Sequence, residues 1–135
     1  MAELGADVRR LLDAPNFAHL ATLLPDGAPH SVPIWVGVED DHVAFFTQPS
    51  SRKARNLARD SRVAISLTNF DDPYTSAWLR GRVAETLEGD RALEVIDRIS
   101  HKYTGQPFPM RSGVVFLVEL ERGAYVELPF EHTRG

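Results

Sequence analysis

Apolar positions along this chain change their spacing several times, and each change marks an element. Val8, Leu11 and Leu12 fall at i, i+3 and i+4, which predicts a short N-terminal helix ended by Pro15. The period then drops to two. Ala18 to Leu24 reads as a strand, Pro25-Asp26-Gly27 as a turn, and His30 to Val38 as the returning strand of a hairpin. A second tight turn at Glu39-Asp40-Asp41 leads into His42 to Thr47. There Val43 and Phe45 face one way and Ala44 and Phe46 the other, so the strand is expected to be covered on both faces.

From Ser51 the spacing is helical again. Ala54, Leu57 and Ala58 form an apolar stripe, while Arg52, Arg55 and Arg59 occupy another face. Strand alternation resumes at Val63, Ile65 and Leu67, and Trp78 to Thr86 predicts a further strand after the loop Asn69 to Tyr74. Asp90 to Tyr103 reads as the longest helix, with Leu93, Ile96, Ile99 and Tyr103 on its buried face and Gly105 and Pro107 as stop signals. Val114 to Leu120 and Tyr125 to Leu128 supply the last strands. Strands in mostly hairpin order with few helices predict a mainly β protein, most economically a closed or nearly closed antiparallel barrel, because closure removes exposed edges.

Composition narrows the picture. With 135 residues, 43% hydrophobic and 25% charged, the chain fits one globular domain over 1–135 with a modest core, to which a second copy would add buried surface. The absence of cysteine excludes disulfides, thiolate catalysis and thiolate metal sites. The N-terminal segment lacks the apolar run of a signal peptide, and no stretch approaches the ~18 to 20 apolar residues of a membrane span. A cytoplasmic protein with no membrane partner is expected. The net charge of -4 argues against nucleic acid as a partner.

Against that acidic balance, five of the fifteen lysines and arginines lie between Ser51 and Arg62. Three readings compete. The segment is a solvated helix face, as charge runs usually are; or a nucleic-acid contact, although no helix-turn-helix partner or stacking aromatic accompanies it; or an anion site. In the third, the hydroxyls of Ser50 and Ser51 and the free N–H groups of the helix start point outward, with Arg52 and Lys53 adding donors.

The run Thr47-Gln48-Pro49-Ser50-Ser51-Arg52-Lys53-Ala54-Arg55-Asn56-Leu57 resembles the phosphate-binding segment of the pyridoxamine 5'-phosphate oxidase-like split β-barrel flavoproteins. Leu20-Ala21-Thr22-Leu23, Asp26-Gly27, Pro29, Pro33-Ile34-Trp35, Asp72-Pro73-Tyr74, Leu79-Arg80-Gly81-Arg82-Val83 and Lys102-Tyr103-Thr104-Gly105 follow in the order of the branch that depends on the deazaflavin coenzyme F420. The resemblance implies a homodimer with a cofactor in a groove at the subunit interface. It assigns the phosphate to Ser50, Ser51, Arg52 and Lys53, a further cofactor contact to Thr47, and the ring to the strand Val32, Pro33, Ile34 and Trp35. Tyr74 and Trp78 would reach the pocket from the partner chain. A plainer assignment for Trp35 and Trp78 is as core or interface aromatics, and Asn56 reads as a helix-surface residue.

The departures from the family pattern are informative. Val32 and Gly37 stand where the FMN-binding oxidases carry an arginine and a lysine, and the C-terminal segment lacks the Trp- and Arg-bearing tail those enzymes use, so vitamin B6 oxidation is not expected. The resemblance therefore implies an F420H2-dependent reductase acting on an electron-poor conjugated small molecule of quinone, enone or tetrapyrrole type. An FMN-dependent oxidoreductase and a flavin or F420 carrier without turnover are the alternatives. Arg55 and Arg59 would steer the anionic cofactor tail. No protein nucleophile is required, and none is legible. The five histidines show no metal spacing, and His30 is the one histidine placed to be tested as a proton donor. Asp71 and Asp72 read as turn residues. The substrate pocket is assigned to the loops Asn69 to Thr75 and Gly105 to Ser112.

Overall fold

The computed structural model describes residues 4–133. Helix α1 (Ala6–Asp13) is followed by strands β1 (Ala18–Leu23), β2 (Pro29–Ile34), β3 (Gly37–Glu39) and β4 (His42–Thr47), then helix α2 (Arg52–Arg59). Strands β5 (Arg62–Thr68) and β6 (Thr75–Leu87), helix α3 (Gly89–Thr104) and strand β7 (Val114–Glu127) complete the chain. The seven strands form one antiparallel sheet in the order β2-β1-β5-β6-β7-β4-β3. It is the antiparallel barrel predicted from the pattern, in the split form that the family resemblance implies.

Alternation explains the packing. On β4, Val43 and Phe45 enter the barrel core with Leu20, Ile65, Leu79 and Val118, and Phe45 is tilted against Phe116 at 5.4 Å. Ala44 faces outward into a second cluster, where Ile96 and Ile99 of α3 cover Val115 and Leu117, and Phe46 packs at its margin. Burying one such aromatic stabilises the fold by about 1.5–3 kcal/mol, which is why a strand apolar on both faces needs cover on both. Val8, Leu11 and Leu12 of α1 are buried as their spacing predicts. Gly105 closes α3 in the left-handed conformation at φ 76°.

Three expectations are corrected. The returning strand His30 to Val38 is not continuous: Trp35 and Val36 separate β2 from β3, and the two lie at opposite ends of the strand order. One segment thus passes from one edge of the rolled sheet to the other, because β2 pairs with β1 and β3 with β4. The last two strands are in fact one, β7, with Arg122 opposite Arg80 and Gly123 opposite Leu79. Its polar run Glu121-Arg122-Gly123 is not a turn but strand backbone, in which Arg122 and Gly123 are paired and Glu121 is the extra residue at a register shift. In α2 the buried residues are Ala54, Asn56 and Leu57, whereas Ala58 is exposed. Asn56 is fully buried because its amide donates to the Thr22 hydroxyl of β1 at 3.0 Å.

The long pair β6 and β7 bends at register shifts between Arg80 and Gly81 and between Val83 and Glu85. At the first, the β7 backbone leaves no room for a side chain: a Cβ on Gly81 would stand 2.2 Å from the Glu119 carbonyl oxygen.

Candidate functional site

Strand β4 ends at Thr47, and Gln48-Pro49-Ser50 carries the chain to Ser51, the N-cap of α2. The Ser51 hydroxyl does not simply point outward. It accepts from the Ala54 N–H at 3.1 Å and from the Thr47 hydroxyl at 2.9 Å, and keeps its own proton to donate. The Ser51 N–H is bonded to the Gln48 carbonyl. Among the described residues, the N–H groups of Arg52 and Lys53 are the two at this helix start without a partner. Ser50 and Arg52 are exposed and Lys53 is half-buried.

Lys53 opens onto a groove of about 400 Å³ whose other lining residues are Phe17, Pro33, Ile34, Trp35, Phe46 and Phe108. Its aromatic walls meet mostly edge to face: Trp35 lies 6.3 Å from both Phe46 and Phe108, and Phe46 lies 5.0 Å from Phe108. Along one side runs β2, an edge strand in which Pro29 and Pro33 are tolerated because one side of the strand has no ladder to complete. Phe108 is held by its loop. The Asp97 carboxylate accepts from the Phe108 N–H at 3.1 Å and from both Arg111 guanidinium nitrogens at 2.9 Å, while Arg111 also donates to the Phe108 carbonyl. The Arg111 bonds hold the Asp97 carboxyl below the usual carboxylate range. Gln48 and Ser112 exchange two hydrogen bonds, tying this loop to the start of α2.

Behind Trp35 lies the last turn of α3. The Tyr103 ring stacks on the indole at 5.1 Å and 7°, and Lys102 donates to the carbonyls of Leu12 and Val36. Burial pushes the Lys102 ammonium down to about 8 and raises the Tyr103 phenol above its ordinary value.

The structure therefore brings Pro33, Ile34, Trp35 and Lys53 into one groove, with Thr47 and Ser51 hydrogen-bonded at the helix start beside Lys53. Val32 turns its side chain toward the barrel core. Tyr74 and Trp78 do not line this groove: Tyr74 packs 5.4 Å from Phe130, and the Trp78 ring carries the Arg80 guanidinium at 4.8 Å. His30 lies opposite Thr22 on β2, outside the groove lining. Arg59 donates to the Leu23 carbonyl, whereas Arg55 is exposed. The groove residues missed from the sequence are Phe17, Phe46 and Phe108. Only Phe46 left a signal, as the outward member of a strand apolar on both faces. No cluster of metal-ligating side chains occurs among the described residues, and none of their helices is long and apolar enough to cross a membrane.

A sequence profile for pyridoxamine 5'-phosphate oxidase matches residues 4–127. The chain belongs to the pyridoxamine 5'-phosphate oxidase family. Several solved structures are similar to it along most of the chain. An F420 reductase is 26% identical with a TM-score of 0.77, covering 86% of this chain and 94% of its own. A conserved hypothetical protein of Mycobacterium tuberculosis is 25% identical with a TM-score of 0.79, covering all of this chain and 94% of its own. A proposed pyridoxamine 5'-phosphate oxidase of Lactobacillus delbrueckii, 21% identical with a TM-score of 0.70 over 90% of this chain and 93% of its own, shares the fold. No curated protein matches the chain.

Proposed function

We propose that this protein is an oxidoreductase that binds coenzyme F420 and reduces an electron-poor conjugated small molecule. The observation that carries the reading is Lys53, which stands between the unpartnered N–H groups of a capped helix and a groove walled by Trp35, Phe46 and Phe108. A flat ring and a phosphorylated arm need such neighbouring surfaces. Aromatic walls bury the ring, and a cation beside free N–H donors holds a phosphodiester.

The residues present fit the deazaflavin better than FMN. A cation at position 37 has no room, since even a Cβ there would stand 2.9 Å from Ile99 Cγ1, and position 32 faces the core. The site is left with Lys53, Arg52 and the serines, a donor set suited to a singly charged phosphodiester rather than a terminal phosphate. Likeness to an F420 reductase over 86% of the chain supports the same choice.

Within this reading Thr47, Ser50, Ser51, Arg52 and Lys53 hold the phosphate arm, and Val32, Pro33, Ile34 and Trp35 lie along the ring. A second copy completes the groove with its own Tyr74 and Trp78, which explains why neither reaches the groove of its own chain. Reduced F420, when bound, supplies two electrons as a hydride. The chain binds and orients the ring, and its aromatic walls exclude water. Neither a histidine nor a carboxylate lines the groove of this chain, so within this reading a proton required by the product comes from solvent.

Titration of the purified protein with F420 and with FMN, followed by tryptophan quenching, tests the reading. Tighter binding of F420, and oxidation of its reduced form on addition of quinones, enones or tetrapyrroles, is expected. Tight FMN binding with none for F420 overturns the cofactor choice. F420 binding without turnover of any acceptor favours a carrier.

A further inference from the structure

Trp35 and Val36 form the only break between β2 and β3, and their backbone lacks the ladder partners of either strand. For Val36 the missing partners come from α3. The Val36 N–H donates to the Tyr103 hydroxyl at 3.2 Å, and its carbonyl accepts from Lys102. The same Tyr103 hydroxyl donates to the Asn16 carbonyl at 2.6 Å. Asn16 is buried, with its side chain bonded to the Leu11 carbonyl and the Phe70 N–H, so the phenol is anchored to a fixed point between α1 and the loop before β6.

The ring of Tyr103 stands between two groove walls. It is parallel to the Trp35 indole and lies 5.8 Å from Phe17 at 36°. Tyr103 itself is not in the groove lining. A side chain one layer behind the wall, with both hydroxyl functions spent on backbone and a face laid flat on a lining indole, has the geometry of a support.

We propose that Tyr103 is a positioning residue for the groove. Its hydroxyl fixes the Val36 peptide and its ring fixes the Trp35 plane, so that indole and strand edge present one preformed surface to the ring of the bound cofactor. The proposal rests on the reading of this groove as the cofactor site. Without the hydroxyl, the buried Val36 N–H has no partner, and the cost of ordering Trp35 falls on the binding step instead of on folding.

The test is a cycle of Tyr103→Phe, Trp35→Leu and the double variant, with the F420 dissociation constant from equilibrium dialysis and exchange of the Val36 amide proton as readouts. Tyr103→Phe retains the ring and should fold. It is expected to weaken F420 binding roughly ten-fold, the equivalent of one hydrogen bond, and to speed Val36 exchange by a similar factor. In the Trp35→Leu background the same change should have a clearly smaller effect on binding, the part carried by the strand edge alone. A Tyr103 that only stabilised the fold would lower the melting temperature of both backgrounds and leave both dissociation constants alone, and that result overturns the proposal. So does equal loss of binding in the two backgrounds. If the parent binds neither F420 nor FMN, the groove reading falls and the proposal with it; if the parent binds F420 tightly and Tyr103→Phe matches it, the proposal alone falls.

Discussion

Replacing Lys53 by methionine keeps an apolar stem along the groove and removes only the ammonium. The structure separates this residue from its neighbour Arg52, which the sequence treats as an equal donor: Lys53 is half-buried at the groove and Arg52 is exposed. A hydrogen bond between a charged donor and a phosphate oxygen at a partly dry site contributes about 1.5–3 kcal/mol. Losing it should weaken F420 binding roughly 10- to 150-fold. An exposed ion pair contributes about 0.2–1 kcal/mol, so Arg52→Ala should cost no more than about five-fold. Salt sharpens the contrast, because the screening length falls from about 30 Å at 0.01 M to about 8 Å at 0.15 M. The Arg52→Ala defect should shrink across that range and the Lys53→Met defect persist. Titrations at both salt concentrations, with thermal melts to confirm folding, supply the numbers. If Arg52→Ala proves as harmful as Lys53→Met at 0.15 M, or if neither changes affinity, Lys53 does not face the ligand and the groove assignment is wrong.

Three further outcomes concern the scaffold. Gly81→Ala should cost about 3 kcal/mol or more in urea unfolding, since its Cβ would meet the Glu119 carbonyl at 2.2 Å and both backbones are locked in the sheet; a loss below about 1 kcal/mol would show that the strands lie farther apart. Thr22→Val alone should cost about 1–2 kcal/mol by stranding the buried Asn56 amide, whose carbonyl oxygen already lacks a partner among the described residues, while Thr22→Val with Asn56→Leu should recover most of it. A denaturation cycle that finds the double variant worse than the sum contradicts this. Burial holds the Lys102 ammonium near 8 against 10.5 for the free side chain, with Asp13 opposing. Between those values the unfolded chain keeps a proton that the folded chain has released, so stability should rise with pH, by about 1–2 kcal/mol once solvent screening is allowed for. Unfolding curves at about pH 7.5, 9 and 10 should show that rise in the parent and a flatter profile in Lys102→Met; parallel profiles would refute it.

Most strands were legible because each carries its own two-residue alternation, and α1 and α3 because their apolar spacing is unbroken. What the sequence hid depends on partners far along the chain. Val32 to Val38 alternates without interruption, so nothing local announces the break at Trp35 and Val36, which Tyr103 and Lys102 hold from more than sixty residues away. Asn56 sits in the most basic stretch of the protein and reads as surface; its burial is decided by Thr22. The basic segment and Trp35 stand out in the sequence, but Phe17, Phe46 and Phe108 come from three separate segments, and only the folded chain shows that they share one groove with Lys53 and Trp35.

The strand order also bears on how the chain emerges from a ribosome. Val43 pairs with Val118 and Phe45 with Phe116, so β4, greasy on both sides, has no sheet neighbour other than the short β3 until the chain has been made as far as β7. At roughly 5–20 residues per second that delay lasts several seconds. During it, Val-Ala-Phe-Phe at 43–46 is the stretch a chaperone would meet first, and a nascent chain stalled before β7 is the species expected to aggregate.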